Sequence, residues 1–348
     1  MKLGLSAGYW GSGPPGGIEN QIQVAEELGF DSVWTAEAYG SDALTPLAWW
    51  GAKTSRIKLG TGIVQLSART PAATAMAAMT LDHLCGGRFI LGLGVSGPQV
   101  VEGWYGQPYP KPLARTREYV EIVRQVVARD DRVTYDGEQY TLPYPGGTGL
   151  GKPLKSTLHP RRSDIPIYLA AEGPKNVALA AEIADGWLPF WFSPKADAFY
   201  REALAEGFAR AGARQTLETF EVVNPMPIII HPDPEVAASI VRPMLALYVG
   251  GMGSKDVNFH YEVFARIGWR EVCERIQELY LDGRKDEAQA AIPLEMIEDV
   301  ALVGPPEKIA RELPRWEETV VTTMAIQGPP ELLRAVADLV FSGAAPHE

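Results

Sequence analysis

The sequence predicts an α/β fold of the (β/α)8 TIM-barrel class, and three observations carry that expectation. Short β-branched runs recur eight times, each followed by a glycine-rich or polar loop and then a helical stretch. The first strand–helix turn lacks a G-x-G-x-x-G fingerprint, because Gly11, Gly13, Gly16 and Gly17 are interrupted by Pro14 and Pro15, which weakens an open dinucleotide-binding sheet. Two long stretches interrupt the rhythm without ending it, as insertions that shape the C-terminal face of a barrel do. The expected organisation is one domain over residues 1–348, with insertions at about 132–164 and 249–292.

The elements follow in order. Leu3 to Ala7 reads as a strand, and Ile18 to Leu28 as a helix whose Ile18, Ile22, Ala25 and Leu28 share one face, closed by Gly29. Ser32 to Ala36 is the second strand and Pro46 to Lys53 its helix. Ile57 to Gln65 is the third, and Pro71 at a first helical position starts Ala72 to Leu84. Arg88 to Val95 precedes the periodic helix Leu113 to Ala128. Ile165 to Ala171 leads into Lys175 to Ala184, and Trp187 to Phe192 into Ala196 to Ala211. Glu221 to Ile230 is the seventh strand and Val320 to Gln327 the eighth, with Pro329 to Phe341 closing the chain. The first interruption contains a hairpin-like YDGEQYTL, and the second reads as largely helical.

Composition narrows the function classes. Hydrophobic content of 46% and charged content of 22% are ordinary for a globular protein. Cys85 and Cys273 lie far apart and form no disulfide or metal spacing, so a reduced cytoplasmic compartment is expected. The N-terminus lacks the apolar core of a signal peptide, and no apolar run approaches the roughly 18 residues of a membrane span. A net charge of −11 argues against broad nucleic-acid binding. The expected partners are a small-molecule substrate, with neither membrane nor nucleic acid; further copies of the chain remain open.

A barrel carries its chemistry at the C-terminal ends of its strands. Those ends, from Gly8-Tyr9 onward, are poor in histidine, cysteine and paired carboxylates and rich in glycine, small residues and aromatics. A hydrolase needs a nucleophile with its base, or a metal cluster, and no metal site is expected. A redox enzyme leaves the chemistry to its cofactor and needs a shaped, backbone-rich slot. Glu37, where strand two ends, is the candidate catalytic group, with turn capping as the plainer reading. Glu172-Gly173-Pro174-Lys175-Asn176 runs from strand five into a helix whose first turn suits a phosphate, unless the Gly-Pro merely turns the chain. Lys152, Lys155, Arg161 and Arg162 form a basic loop that either steers an anionic cofactor tail or simply faces water. His83, late in its helix, reads as structural. His260 in the long insertion stays undecided, and the aromatics from Trp187 to Phe192 read first as core.

In order along the chain, SVWTAEAYGSDALTPL (Ser32 to Leu47), IKLGTGIVQLSARTP (Ile57 to Pro71), GGRFILGLGVSGPQVVEGWYG (Gly86 to Gly106), IYLAAEGPKNVALAAEIADGWLP (Ile167 to Pro189) and VGPPEKIARELPRW (Val303 to Trp316) resemble the luciferase-like flavin/deazaflavin oxidoreductase family. The resemblance is closer to the branch that uses coenzyme F420 than to FMN enzymes. It implies a non-proline cis peptide at Gly62-Ile63 against the deazaflavin ring. It also implies cofactor contacts at Ala36, at Gly62, Ile63, Val64 and Gln65, at Val95, Ser96, Gly97 and Pro98, and at Glu172, Gly173, Pro174, Lys175 and Asn176. The implied activity is F420-dependent hydride transfer between the deazaflavin C5 and a small organic substrate. The alternatives are an FMN-dependent monooxygenase and a non-catalytic flavin- or deazaflavin-binding protein. Relatives carry other acidic or histidine-containing dipeptides where this chain has Ala36-Glu37, which leaves the proton donor open.

Overall fold

A computed structural model describes residues 1–8, 10–253 and 258–342; Tyr9, at the expected end of strand one, lies outside them. Eight parallel strands close into a barrel: β1 (Lys2–Gly8), β2 (Ser32–Thr35), β3 (Lys58–Thr61, resumed at Val64–Gln65), β4 (Phe89–Gly94), β5 (Ile167–Ala170), β6 (Gly186–Leu188), β7 (Glu221–Pro225) and β8 (Thr323–Ile326). Closure runs through β1, which pairs with both β2 and β8, and through β3 on β4. Helices follow the strands and cover the barrel, among them Ile18–Glu27, Pro71–Leu84, Pro112–Ala128 and Pro174–Ile183. The start at Pro71 has a local cause: the Thr70 hydroxyl accepts from the Ala73 amide, and Pro71 gives up an N–H that has no partner in a first turn.

The inside of the barrel is a packed layer of side chains. Trp34, Ile90, Tyr168, Leu188, Val223 and Ala325 fill it, with Ile63 and Ala170 against them. Trp34 and Tyr168 stack at 5.7 Å between centroids. Their size is accommodated by glycines on the facing strands. A Cβ on Gly60 would stand 2.4 Å from the Trp34 ring, and one on Gly186 would stand 2.7 Å from Tyr168.

β3 carries a bulge. Gly60 pairs with Ile90 and Val64 with Leu93, so four steps on one strand oppose three on the other. The Gly62-Ile63 peptide within it is cis, as the family resemblance implies.

Two expected strands are shorter than the sequence pattern. The sixth, read as Trp187 to Phe192, ends at Leu188, and Trp191 turns away with a φ of 56°. The seventh, read as Glu221 to Ile230, leaves the barrel at Pro225. Ile228–Ile230 instead pairs in parallel with Leu302–Gly304, a strand the sequence reading did not assign. Between that pair lie the helices Pro234–Ala246, Phe259–Phe264, Arg270–Leu281, Lys285–Ala290 and Leu294–Glu298. They close on a second core that includes Val241, Leu245, Phe264, Ile276 and Met296. YDGEQYTL forms a two-stranded antiparallel hairpin, with Tyr135 opposite Leu142.

Charge pairs hold the N-terminal rim of the barrel. Asp185, between β5 and β6, accepts from the Ile167 amide, from Arg124 at 2.9 Å and from Gln215. Burial alone would raise its pKa; Arg124 and these hydrogen bonds overcome that and hold the carboxyl below its ordinary range. A lowered native pKa contributes stability that is complete above the unfolded value of roughly 3.9 and is lost as pH falls through the native one. Asp185→Asn is therefore expected to cost about 2–3 kcal/mol at neutral pH, and the gap from wild type should close as pH falls through the lowered native pKa. Urea unfolding of both proteins across that range is the measurement.

Candidate active site at the C-terminal mouth

The inner layer ends, toward the C-terminal side, at Ile63, Ala170 and Leu188. A Cβ on Gly94 would touch both Ile63 (2.8 Å) and Ala170 (3.3 Å), so these side chains meet where glycine makes room. Side chains two residues apart along extended backbone share a face. Glu172 follows Ala170 by two residues and Phe190 follows Leu188 by two, which places both just above that layer.

Glu37 lies on the other side of the mouth and is 6% exposed. Its carboxylate is fully engaged. Oε1 accepts from Arg69 Nη1 at 2.8 Å and from the Gln65 amide at 3.2 Å, and Oε2 accepts from the Ala43 amide at 3.3 Å. Gln65 Nε2 donates back to the Glu37 carbonyl at 3.1 Å. One side chain thus ties the end of β2 to the loop before helix Leu44–Gly51, to the resumed strand after the cis peptide, and to the loop entering helix Pro71–Leu84. Desolvation would lower the Arg69 pKa, but the hydrogen bond and charge of Glu37 reverse this and raise it.

The other expected positions gather around the same opening. Ala36 donates its amide to Gly8 at the end of β1. Val95, Ser96, Gly97 and Pro98 are half-buried after β4; Ser96 has a φ of 58° and its carbonyl accepts from the Tyr109 hydroxyl. Gly173 caps helix Pro174–Ile183 without a side-chain cap, Pro174 and Lys175 are exposed, and Asn176 Nδ2 reaches the Ala170 carbonyl at 3.4 Å. Val64 and Gln65 are buried, and Gln65 Oε1 has no hydrogen-bond partner among the described residues.

The basic loop is elsewhere. Arg162 forks onto Asp82, which is wholly buried, and onto the Phe89 carbonyl where β4 begins. Arg161 lies beside Gly87, and Lys155 donates to the Asp130 carbonyl beyond the end of helix Pro112–Ala128. These are positions at the N-terminal rim, so Arg161, Arg162 and Lys155 stabilise the far end of the barrel and do not face the mouth. His83 Nε2 meets the His159 carbonyl at 2.8 Å on that same rim, in keeping with a structural role.

His260, which the sequence left undecided, arrives at the mouth. Its Nδ1 stands 2.7 Å from Glu172 Oε1. The pair does not meet hydrogen-bond geometry, and neither Nδ1 nor Glu172 Oε2 has a hydrogen-bond partner among the described residues. Phe190 and Tyr248 meet the imidazole edge to face, at 5.6 and 4.7 Å between centroids. Beyond them the Tyr200 hydroxyl, pushed up to about 12 by burial, accepts from Arg266. No sequence signal joins residues 88 positions apart in the chain, since the contact depends on how the insertion folds back.

Glu37 and Arg69 are expected to act as one unit. Arg69→Ala should destabilise by about 3 kcal/mol, because it leaves the buried Glu37 carboxylate without its charge partner, and Glu37→Ala by less, because Arg69 is only half-buried. The double variant should cost well below the sum, as a denaturant double-mutant cycle will read.

Comparison with known proteins places this architecture. The family model for luciferase-like monooxygenases matches residues 4–323. A Mycobacterium tuberculosis protein named "Putative coenzyme F420-dependent oxidoreductase" is 56% identical over 343 residues, covering 98% of this chain and 99% of that protein. The 5,10-methylenetetrahydromethanopterin reductase of Archaeoglobus fulgidus is 30% identical across 90% of this chain and 89% of its own. Among solved structures, the coenzyme F420-dependent tetrahydromethanopterin reductase of Methanopyrus kandleri superposes with a TM-score of 0.81 at 25% identity, over 99% of both chains. The chain belongs to the luciferase-like monooxygenase family.

Proposed function

We propose that the protein is a coenzyme F420-dependent oxidoreductase that moves a hydride between the deazaflavin and a small organic substrate. The observation that carries the reading is its end-to-end similarity, at 56% identity, to a relative named for that cofactor. The mouth supports it from the other direction. It includes Gln65 Oε1, a buried acceptor with no hydrogen-bond partner among the described residues, which suits the imide N–H of a flavin-like ring. It also offers an open helix start at Gly173, where a Cβ would meet nothing within 4 Å, beside the exposed Lys175, which has no ion-pair partner among the described residues. These residues fit the group.

In this reading Gly62, Ile63, Val64 and Gln65 back the ring, Ala36 and the Val95 to Pro98 loop flank it, and Gly173 to Asn176 receive the phosphate of its tail. When bound, the cofactor supplies the hydride donor or acceptor at C5. The chain's own part is to orient the reactants and exclude water. Glu37 contributes by holding the bulge through Gln65 and Arg69, since all its close donors are already in place. The sequence expectation made it the catalytic group. Its engagement with three donors favours a positioning role.

A second reading, an FMN-dependent monooxygenase, draws on the family model's own description. The two part on cofactor preference. F420 is expected to bind the apoprotein at least tenfold more tightly than FMN, a difference of about 1.4 kcal/mol, in a fluorescence titration. Equal or reversed affinities, with oxygen uptake on adding reduced FMN, would transfer the assignment to the second reading. Tight F420 binding without hydride transfer to any substrate would leave a cofactor-binding protein.

A further inference from the structure

At the rim opposite the mouth, the wall of the barrel holds a partly enclosed cleft of about 100 Å³. Leu91 and Ile167 line it from the outer faces of β4 and β5. Ala78, Val123 and Val127 line it from the inner faces of helices Pro71–Leu84 and Pro112–Ala128, and Ile165 completes the apolar surface. Protein interiors pack as densely as organic crystals, so a void between two strands and two helices is a cost unless something fills it. A single water needs only about 10–15 Å³ of such space, which leaves room here for a chain of a few carbons.

The entrance to the cleft is charged. Arg124, Ser163, Asp164 and Arg214 frame it. Asp164 Oδ1 accepts from Arg214 Nη2 at 2.7 Å and from Arg124 Nη1 at 3.3 Å, so one carboxylate oxygen sits in a fork between two guanidinium groups. The same arginines reach inward to Asp185, at 2.9 Å from Arg124 Nη2 and 3.5 Å from Arg214 Nε.

The two acids are held very differently. Asp185 keeps 11% of its side-chain surface and also accepts from the Ile167 amide, so it stays in place. Asp164 keeps 65%, and its carboxylate has no other donor among the described residues. An ion pair that exposed contributes little, so a competing carboxylate displaces it at small cost. With Asp164 swung into water, two cations would face one anion, and a carboxylate from outside restores the balance. The open cleft on the other side of Arg124 carries Glu121, Asp130 and Asp131 and repels an anion, which leaves the apolar cleft to take the rest of the molecule.

We infer that this cleft is a binding site for short-chain monocarboxylates. The alkyl tail lies among Leu91, Val123 and Val127, and the carboxylate takes the place of Asp164 between Arg124 and Arg214. Each half of the ligand is needed. A tail without a charge leaves the arginine–aspartate gate shut, and a charge without a tail gains nothing over Asp164, which is tethered there already. The site lies where β5 begins, at the far end of the barrel from Glu172, and is independent of the cofactor reading.

Calorimetric titration of the full chain with butyrate, in chloride buffer, tests the proposal. Butyrate should bind saturably and at least about tenfold more tightly than acetate, which lacks the tail, or butan-1-ol, which lacks the charge. Ala78→Leu, which fills the cleft, should weaken butyrate by about tenfold or more, and Arg214→Gln should weaken it by about tenfold. Asp164→Asn removes the competing carboxylate and should tighten butyrate about threefold, a change that loss of structure would not produce. Arg214 and Asp164 are exposed, so those two variants keep the test decisive if Ala78→Leu does not fold.

Absence of saturable binding overturns the proposal and leaves a hydrated void. Equal affinity for acetate and butyrate overturns it too, as does butyrate binding that neither Ala78→Leu nor Arg214→Gln weakens. So does weaker binding in Asp164→Asn, which would make Asp164 part of the site and not its gate.

Discussion

The carboxylate of Glu37 is the interaction on which the mouth of the barrel depends. Backbone that leaves a parallel strand must find new hydrogen-bond partners at once, and the Ala43 and Gln65 amides do so here on the two Glu37 oxygens, joined by the Arg69 guanidinium. The chain after β2 is turned toward its helix through the Ala43 amide. The strand beyond the Gly62-Ile63 peptide resumes because Gln65 is caught from both sides. Arg69 offsets the cost of burying the charge and ties the loop into helix Pro71–Leu84 to it. Removing any one member releases the others. The geometry of Ile63 at the centre of the mouth is therefore set from a residue that need not touch any ligand.

Below that ring of contacts, the barrel is closed to solvent by size matching. Trp34 and Tyr168 occupy the space that Gly60 and Gly186 leave, and Ile63, Ala170 and Leu188 complete the surface. The floor is thus apolar and rigid. Polar chemistry enters only from above, through the strand ends and through whatever the insertion between β7 and β8 brings down. The insertion has its own core, so it can present His260 and Tyr248 as a preformed roof. Floor and roof are built by different parts of the chain, with different packing.

How much of this the sequence disclosed follows the range of the forces involved. All eight barrel strands and the helices after most of them were legible, because hydrophobic periodicity and the Thr70-Pro71 and Gly173-Pro174 starts are local signals. The cis peptide at Gly62-Ile63 came only from family resemblance, since nothing in G-T-G-I-V dictates it. The splitting of the seventh strand was missed because Ile228–Ile230 looks as β-prone as Val222 and Val223. What separates them is Pro225 with Pro227 and a partner, Leu302–Gly304, more than 70 residues away. His260 against Glu172 and Arg69 against Glu37 were equally hidden, for both are contacts of tertiary folding.

The basic loop shows the same limit acting on charge. Lys152, Lys155, Arg161 and Arg162 cluster in sequence on a chain of net charge −11, which makes a cofactor-tail site an attractive reading. Linear clustering says nothing about which end of a barrel a loop serves. Arg162 is consumed by the buried Asp82, and the Asp82 carboxylate would otherwise be an uncompensated charge inside the wall. The positive loop is thus the answer to an acid buried 80 positions earlier. In the F420 reading, an anionic tail at the mouth would meet the amides at the start of helix Pro174–Ile183 and Lys175, which has no carboxylate partner among the described residues. Recognition through backbone donors depends less on ionic strength than recognition through exposed side-chain charges, so an acidic protein can hold such a tail without a basic face.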